Sequence, residues 1–189
     1  MRRQHGIPDS AFVLLFVGSG FERKGLRYLI EAAEMLDAPV TLLVVGKGPA
    51  EKYRRMIKKQ RVIFCGPRKE IERYYAAADV FVFPTVYEPF GNVHLEALAS
   101  GLPVITTRQS GAADILEDGK NGFVVQGPED AGAISRRIRA LMDSGLLVSM
   151  GREARKLAEE FTFARHMRET LQLYSDIMGE KQASERSSP

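Results

Sequence analysis

Two glutamates separated by seven residues, in Glu88-Pro89-Phe90-Gly91-Asn92-Val93-His94-Leu95-Glu96, carry the strongest chemical signal in the sequence. Gly91 lets the main chain approach a ligand closely. The amides around it open a helical stretch, Asn92–Ser100, where backbone N–H groups and the helix dipole suit an anion. A carboxylate beside a phosphate is repulsive unless its task is to accept hydrogen bonds from neutral hydroxyls. Two acidic residues at such a turn therefore point to a polyhydroxylated phosphate ester. Glu88, ahead of the helix, is placed to hold a sugar. Glu96 lies about 7.5 Å beyond Gly91 at the helical rise per residue, and is placed to take a ribose diol. A loop charge or a solvent-facing helix residue explains either glutamate singly better than it explains the pair.

A second signal is Gly18-Ser19-Gly20-Phe21-Glu22-Arg23-Lys24-Gly25. Gly18, Ser19 and Gly20 permit a tight turn beside phosphate oxygens, and Arg23 and Lys24 supply charge for a diphosphate. The stretch lacks the Gly-Lys-Ser/Thr ending of a P-loop and the spacing of the dinucleotide fingerprint, so by itself it would read as a solvated basic loop.

These segments need a scaffold, and the rest of the sequence provides one. Short runs, apolar on both faces, are predicted as strands at Ala11–Val17, Val40–Val45, Val62–Cys65, Val80–Phe83, Pro103–Thr106 and Gly122–Val125. Helical periodicity fills the gaps: Leu26, Leu29, Ile30, Ala33 and Leu36 share one face. Further helices are expected near Ala50–Lys59, Arg68–Ala78, Asn92–Ser100, Ala112–Glu117, Ala131–Ser144, Leu147–Glu160 and Phe163–Met178. Breaks fall at Gly46, Gly48-Pro49, Gly66-Pro67, Gly101 and Gly127-Pro128. The fold class that follows is α/β: a Rossmann-like, doubly wound parallel sheet of six strands, with helices on both faces and more at the C-terminus. Residues 1–178 form one domain, and residues 179–189, polar and aperiodic, form a disordered tail. In that scheme both chemical segments sit at the carboxyl edge of a strand, where open α/β sheets bind ligands.

With these residues in view the sequence resembles the C-terminal, donor-binding domain of GT-B glycosyltransferases of family 4. The glutamate pair, the basic loop ending Lys24-Gly25, and Ala76-Ala77-Ala78-Asp79-Val80 entering a strand carry the likeness. So do Ala97-Leu98-Ala99-Ser100-Gly101-Leu102-Pro103-Val104-Ile105 and Gly119-Lys120-Asn121-Gly122-Phe123. The stretch Val17–Gly25 looks most like members that build the lipopolysaccharide core. The resemblance implies transfer of a hexosyl group from a nucleoside diphosphate sugar, UDP-glucose foremost, to an acceptor hydroxyl with retention. Arg23 and Lys24 would bind the diphosphate and stabilise the leaving charge, Glu88 the sugar, and Glu96 the ribose. The amides of Phe90, Gly91, Asn92 and Val93 would reach sugar and phosphates, and Arg68 would line the base. The leaving phosphate would assist as base, with no protein nucleophile, no metal and no cofactor. The family's N-terminal domain, which holds the acceptor, has no counterpart here and would be the missing partner. A sugar-nucleotide epimerase of the same architecture and a donor-binding module without turnover are the alternatives.

The remaining features bound this reading. Net charge is +3, with 27% charged and 44% hydrophobic residues, ordinary for a globular chain of 189 residues. Lys52, Arg54, Arg55, Lys58, Lys59 and Arg61 form one basic cluster, and Arg136, Arg137 and Arg139 another. Both read first as solvated helix faces, and second as contact with an anionic membrane or a phosphorylated substrate. Interleaved aromatics are absent, so nucleic acid is not an expected partner. His94 is expected to be structural, and His5 and His166 belong to no motif. Cys65 closes a strand as a small buried residue, and a single cysteine suits a reducing compartment. No apolar core follows Met1-Arg2-Arg3, and no run is long enough to span a bilayer. The expected location is cytoplasmic, with the inner face of the cytoplasmic membrane as the place of any peripheral contact.

Overall fold

A computed structural model describes the main chain of residues 1–186 and the side chains of residues 1–178. Six strands form a single sheet: β1 (Phe12–Val17), β2 (Val40–Val45), β3 (Arg61–Gly66), β4 (Val80–Phe83), β5 (Val104–Thr107) and β6 (Gly122–Val125). Every pairing is parallel and the order is β3-β2-β1-β4-β5-β6, the doubly wound Rossmann order. The chain winds outward from β1 to β3, then returns to β4 on the other side of β1. The direction of winding therefore reverses between β1 and β4.

The helices are α1 (Leu26–Glu34), α2 (Ala50–Arg54), α3 (Glu72–Tyr75), α4 (Val93–Ala99), α5 (Ala131–Ala140), α6 (Ser144–Glu159) and α7 (Phe163–Arg186). α1 packs beside α5 and α4 beside α6. Right-handed crossovers put α1, which leads back to β2, and α4, which leads on to β5, on opposite faces of the sheet. Burial on both faces explains the unbroken apolar strands: Val13–Phe16, Leu42–Val44, Val80–Phe83 and Val104–Ile105 are fully buried.

Three expected helices shrink. Ala50–Lys59 keeps only its first turn as α2. The Glu34 carboxylate accepts the N–H groups of Lys58, Lys59 and Gln60 at 3.1 Å, giving that main chain partners outside a helix. The run of like charges there also disfavours helix. Of Arg68–Ala78, only Glu72–Tyr75 is helical; Arg68 turns back, its Nε donating to the Cys65 carbonyl at 2.8 Å. Ala112–Glu117 is a 3-10 turn over Gly111–Asp114, opened by Ser110 Oγ accepting from the Ala112 amide, and Asn121 Oδ1 takes the Glu117 amide. At the other end α7 runs on to Arg186, so residues 179–186 of the expected tail continue a helix. Gly179 alone, beside good helix formers, costs only about 1 kcal/mol. Residues 187–189 lie outside the described residues.

The N-terminal residues are tied to the sheet. Arg2 donates to the carbonyls of Ala77, Asp9 and Ala11 and pairs with Asp79 Oδ2 at 2.8 Å. The same Asp79 oxygen accepts the Val13 amide at 2.7 Å. Asp79 thus fixes the start of β1 against the start of β4. No described helix is long and apolar enough to cross a membrane.

Candidate functional site

The crevice between β1 and β4 is walled by the two loops that the sequence singled out. Gly25, at φ +75° before α1, faces the Pro84 carbonyl so closely that a Cβ there would collide with it. The Arg23 carbonyl accepts the Val86 amide at 2.9 Å and Thr85 Oγ1 at 3.0 Å, and Thr107 Oγ1 donates to the Thr85 carbonyl at 2.7 Å. The β1–α1 loop, the β4–α4 loop and the end of β5 are therefore fastened together.

Across this seam Lys24 Nζ lies 2.7 Å from Glu88 Oε2, with Arg23 Nη1 at 3.4 Å from the same oxygen. Arg23 Nη1 also donates to the Tyr87 carbonyl at 2.7 Å. The Lys24 stem runs over Gly18, where a Cβ would strike it, and its ammonium stands 4.9 Å above the Phe83 ring. Partial burial would raise the Glu88 carboxyl, but the Lys24 hydrogen bond and charge, with Arg23 behind them, hold it below the usual carboxylate range. Glu88 is therefore ionised at neutral pH. Glu88 Oε1 accepts from no protein group among the described residues, and so is free for a ligand hydroxyl.

Beside this ion pair the amides of Phe90, Gly91, Asn92 and Val93 donate to no protein group among the described residues. Gly91 adopts φ +75°, and a Cβ would press on Glu88 Cγ at 2.9 Å and His94 Nδ1 at 3.1 Å, so only glycine fits the turn. The loop is held from behind. His94 is fully buried, its Nδ1 2.8 Å from the Gly91 carbonyl and its Nε2 3.1 Å from Thr106 Oγ1. Glu88 makes a parallel bridge with Ser110: its amide donates to the Gln109 carbonyl at 3.1 Å, and its carbonyl accepts from the Gly111 amide at 2.9 Å. A side chain at Gly111 would meet the Pro89 carbonyl.

Glu96 sits on the exposed side of α4, with Oε2 accepting from the Tyr75 hydroxyl at 2.8 Å. Tyr75 is otherwise buried, and desolvation followed by the Glu96 contact raises its hydroxyl far above the usual range, so it stays a donor. Glu96, Asn92, Phe90 and Leu95 line a half-open cavity of about 760 Å³ together with Phe161, Phe163 and His166.

Gly18, Arg23, Lys24, Glu88 and the amides of residues 90–93 thus meet at one crevice, with Glu96 one helical turn away. Ser19 is exposed in the β1–α1 loop, its Oγ accepting the Lys47 amide at 3.1 Å. Arg68 is at the same sheet edge, exposed at the end of β3, and contacts none of the others. The sequence reading did not find Tyr75, Thr106, Thr107 or the Gln109–Gly111 segment. Ser110-Gly111, three residues beyond β5, was the one available sign of a tight turn there. Among the described residues no three His, Cys, Asp or Glu side chains converge as metal ligands.

Cations, free amides and a fixed carboxylate at the reversal point of a doubly wound sheet have the chemistry that suits a phosphorylated, hydroxyl-bearing ligand, in a Rossmann-like domain. A family profile described as "Glycosyl transferases group 1" matches residues 11–144, and the chain belongs to that family. It is 34% identical over 167 residues to the lipopolysaccharide glucosyltransferase WaaG of Escherichia coli K12, covering 84% of this chain and 45% of that protein. The crystal structure of WaaG superposes with a TM-score of 0.74 at 31% identity. An uncharacterized glycosyltransferase, MJ1607 of Methanocaldococcus jannaschii, is 32% identical, covering 94% of this chain and 48% of that one. HepE of Anabaena, solved in complex with UDP and glucose, superposes with a TM-score of 0.84 at 26% identity over 93% of this chain and 51% of its own. The chain spans about half the length of the relatives it matches.

Proposed function

We propose that this chain is the donor-binding half of a retaining glycosyltransferase that takes a nucleoside diphosphate hexose, UDP-glucose foremost, and passes the hexosyl group to an acceptor hydroxyl of a cell-envelope glycan such as lipopolysaccharide. The observation that carries the reading is the meeting of Lys24, Arg23 and Glu88 beside the free amides of residues 90–93. Lys24 and Arg23 take the diphosphate together with the amides, and neutralise it as it departs, so the charge is met by the protein without a metal. Glu88 Oε1 accepts from sugar hydroxyls, Glu96 from the ribose pair, and Arg68, at the same sheet edge, would line the base. The UDP and glucose held by HepE favour uridine, and the likeness to WaaG favours glucose and lipopolysaccharide.

Acceptor binding would fall to a second domain of the kind that makes up the other half of the relatives. α7 supports this: Phe163, Met167, Leu171, Tyr174 and Met178 recur at helical spacing and are exposed, an apolar face with nothing packed on it among the described residues. The exposed Arg55, Lys58 and Lys59, with Arg136 and Arg139, would serve contact with anionic lipid. Catalysis and any membrane contact thus belong to the two-domain protein, and the chain alone is a donor-binding module.

Calorimetry with UDP, UDP-glucose, ADP and GDP tests the donor site. Binding of UDP and UDP-glucose in the micromolar to millimolar range is expected. Absence of any nucleoside diphosphate binding at millimolar concentration overturns the reading. Hexosyl transfer by this chain alone, at the rate of a two-domain form, would overturn the division of labour.

A further inference from the structure

We propose that His94 is a positioning residue of the donor site, whose imidazole fixes the Gly91–Asn92 peptide so that the Asn92 amide faces the ligand phosphate. The proposal rests on the donor-site reading above.

His94 is fully buried among apolar neighbours, with its ring edge-on to Phe83 at 5.0 Å and to Phe81 at 5.8 Å. Core packing alone would favour an aliphatic side chain here, as at Ala97 and Leu98 on the same helix. The ring is spent on three polar contacts instead. Nδ1 reaches the Gly91 carbonyl at 2.8 Å, and the His94 amide reaches the same oxygen at 3.0 Å. A carbonyl only accepts, so Nδ1 carries the ring hydrogen and Nε2 is left to accept. Thr106 Oγ1 lies 3.1 Å and Ser110 Oγ 3.5 Å from Nε2; the one Thr106 hydroxyl hydrogen also has the Phe83 carbonyl within 3.0 Å, whereas Ser110 Oγ, which accepts the Ala112 amide, keeps its hydrogen to donate to Nε2. Thr106 belongs to β5, and Ser110 begins the segment that brackets the Glu88 main chain. One ring thus ties the glycine turn to a core strand and to the clamp on Glu88.

The effect on the ligand follows from peptide geometry. In a planar trans peptide the C=O and N–H point in opposite directions. Two donors draw the Gly91 oxygen inward, so the Asn92 N–H is turned outward, where no acceptor among the described residues meets it. With φ +75°, Gly91 has the freedom to rotate this peptide, and the imidazole removes that freedom.

The test compares His94→Leu, His94→Asn and His94→Gln in the 189-residue chain, with UDP and uridine as calorimetric probes and thermal melting as the check on folding. An asparagine amide can reach where Nδ1 stands, and a glutamine amide reaches toward Nε2. H94L should weaken UDP about fivefold to tenfold, the scale of one hydrogen bond, and uridine much less. H94N should regain most of the loss and H94Q little of it. Nitrogen-15 spectra of the unaltered chain should show the Nδ1–H tautomer. An Nε2–H tautomer, unchanged UDP affinity in H94L, equal losses for UDP and uridine, or no advantage of H94N over H94Q each overturn the proposal. Should H94L fail to fold, the H94N–H94Q contrast decides. Arg23→Ala with Lys24→Ala separates the two failures. If that variant keeps full UDP affinity, or the unaltered chain binds none, the donor-site reading falls and His94 falls with it. If it loses UDP while H94L does not, only the His94 assignment fails.

Discussion

Lys24 and Glu88 are 64 residues apart in the chain, yet Nζ and Oε2 meet at 2.7 Å over the crevice between β1 and β4. Neither partner is wholly consumed: Lys24 keeps two further N–H donors and Glu88 keeps Oε1. In the proposed donor site a diphosphate entering the crevice would take the free donors of Lys24, and Glu88 Oε1 would accept from a sugar hydroxyl. The like-charge conflict between Glu88 and a phosphate is resolved because lysine stands between them.

Replacing Arg23 and Lys24 together by alanine should weaken UDP far more than uridine. Each charge-assisted hydrogen bond lost is worth roughly 1.5–3 kcal/mol, so a loss of tenfold or more is expected for UDP alone. Calorimetry with both ligands checks it, and equal losses would place these side chains away from the phosphates.

The glutamates should separate. Glu96→Gln should weaken UDP and UDP-glucose alike, whereas Glu88→Gln should spare UDP and, in a two-domain form, reduce transfer. Tyr75→Phe offers a milder version of the first change, since it frees Glu96 Oε2 without altering the carboxylate. It should lower affinity for both ligands by less than Glu96→Gln does. Reversed selectivity, with Glu88 governing UDP, would sink the assignment.

Acid should destabilise the fold through His94. Burial, opposed by the Gly91 contact, holds this imidazole down at about 4. Between that value and the unfolded value of about 6.5 the unfolded chain binds the extra proton, so stability is lost as pH falls through this window. The whole shift corresponds to about 3 kcal/mol. Melting temperatures measured from pH 7 to pH 4 should fall steeply for the unaltered chain and more gently for His94→Leu. His5, also held low, chiefly by desolvation and then by Arg68, is common to both chains and cancels. Parallel curves would contradict the neutral buried state.

Gly25→Ala should destabilise the chain and loosen the site together. Its Cβ would meet the Pro84 carbonyl at a left-handed φ, so both strain and collision oppose it, by about 2 kcal/mol or more. Thermal melting should show the loss, and UDP affinity should fall as the seam between the two loops opens. An unchanged melting temperature would mean that the seam is dispensable.

Much of this was legible along the chain. Every one of the six strands lies at a short apolar run: burial on both faces requires this of the inner strands, while the edge strand β3 is only partly buried. The glutamate pair and the basic loop were likewise legible, since glycine, carboxylate and cation types at fixed spacing state their chemistry locally. Short helices were not: α2 ends early because Glu34, from another element, captures the amides of residues 58–60. The pairing of Lys24 with Glu88, the grip of Tyr75 on Glu96 and the bracket of Gln109–Gly111 around Glu88 were set by the sheet order alone. Local sequence fixes which backbone each segment prefers; placing β4 against β1 is what brings side chains 64 residues apart within a hydrogen bond. His94 shows the limit most plainly, for its sequence neighbours make it a helix residue, and only the strands behind that helix make it a buried hydrogen-bonding bridge.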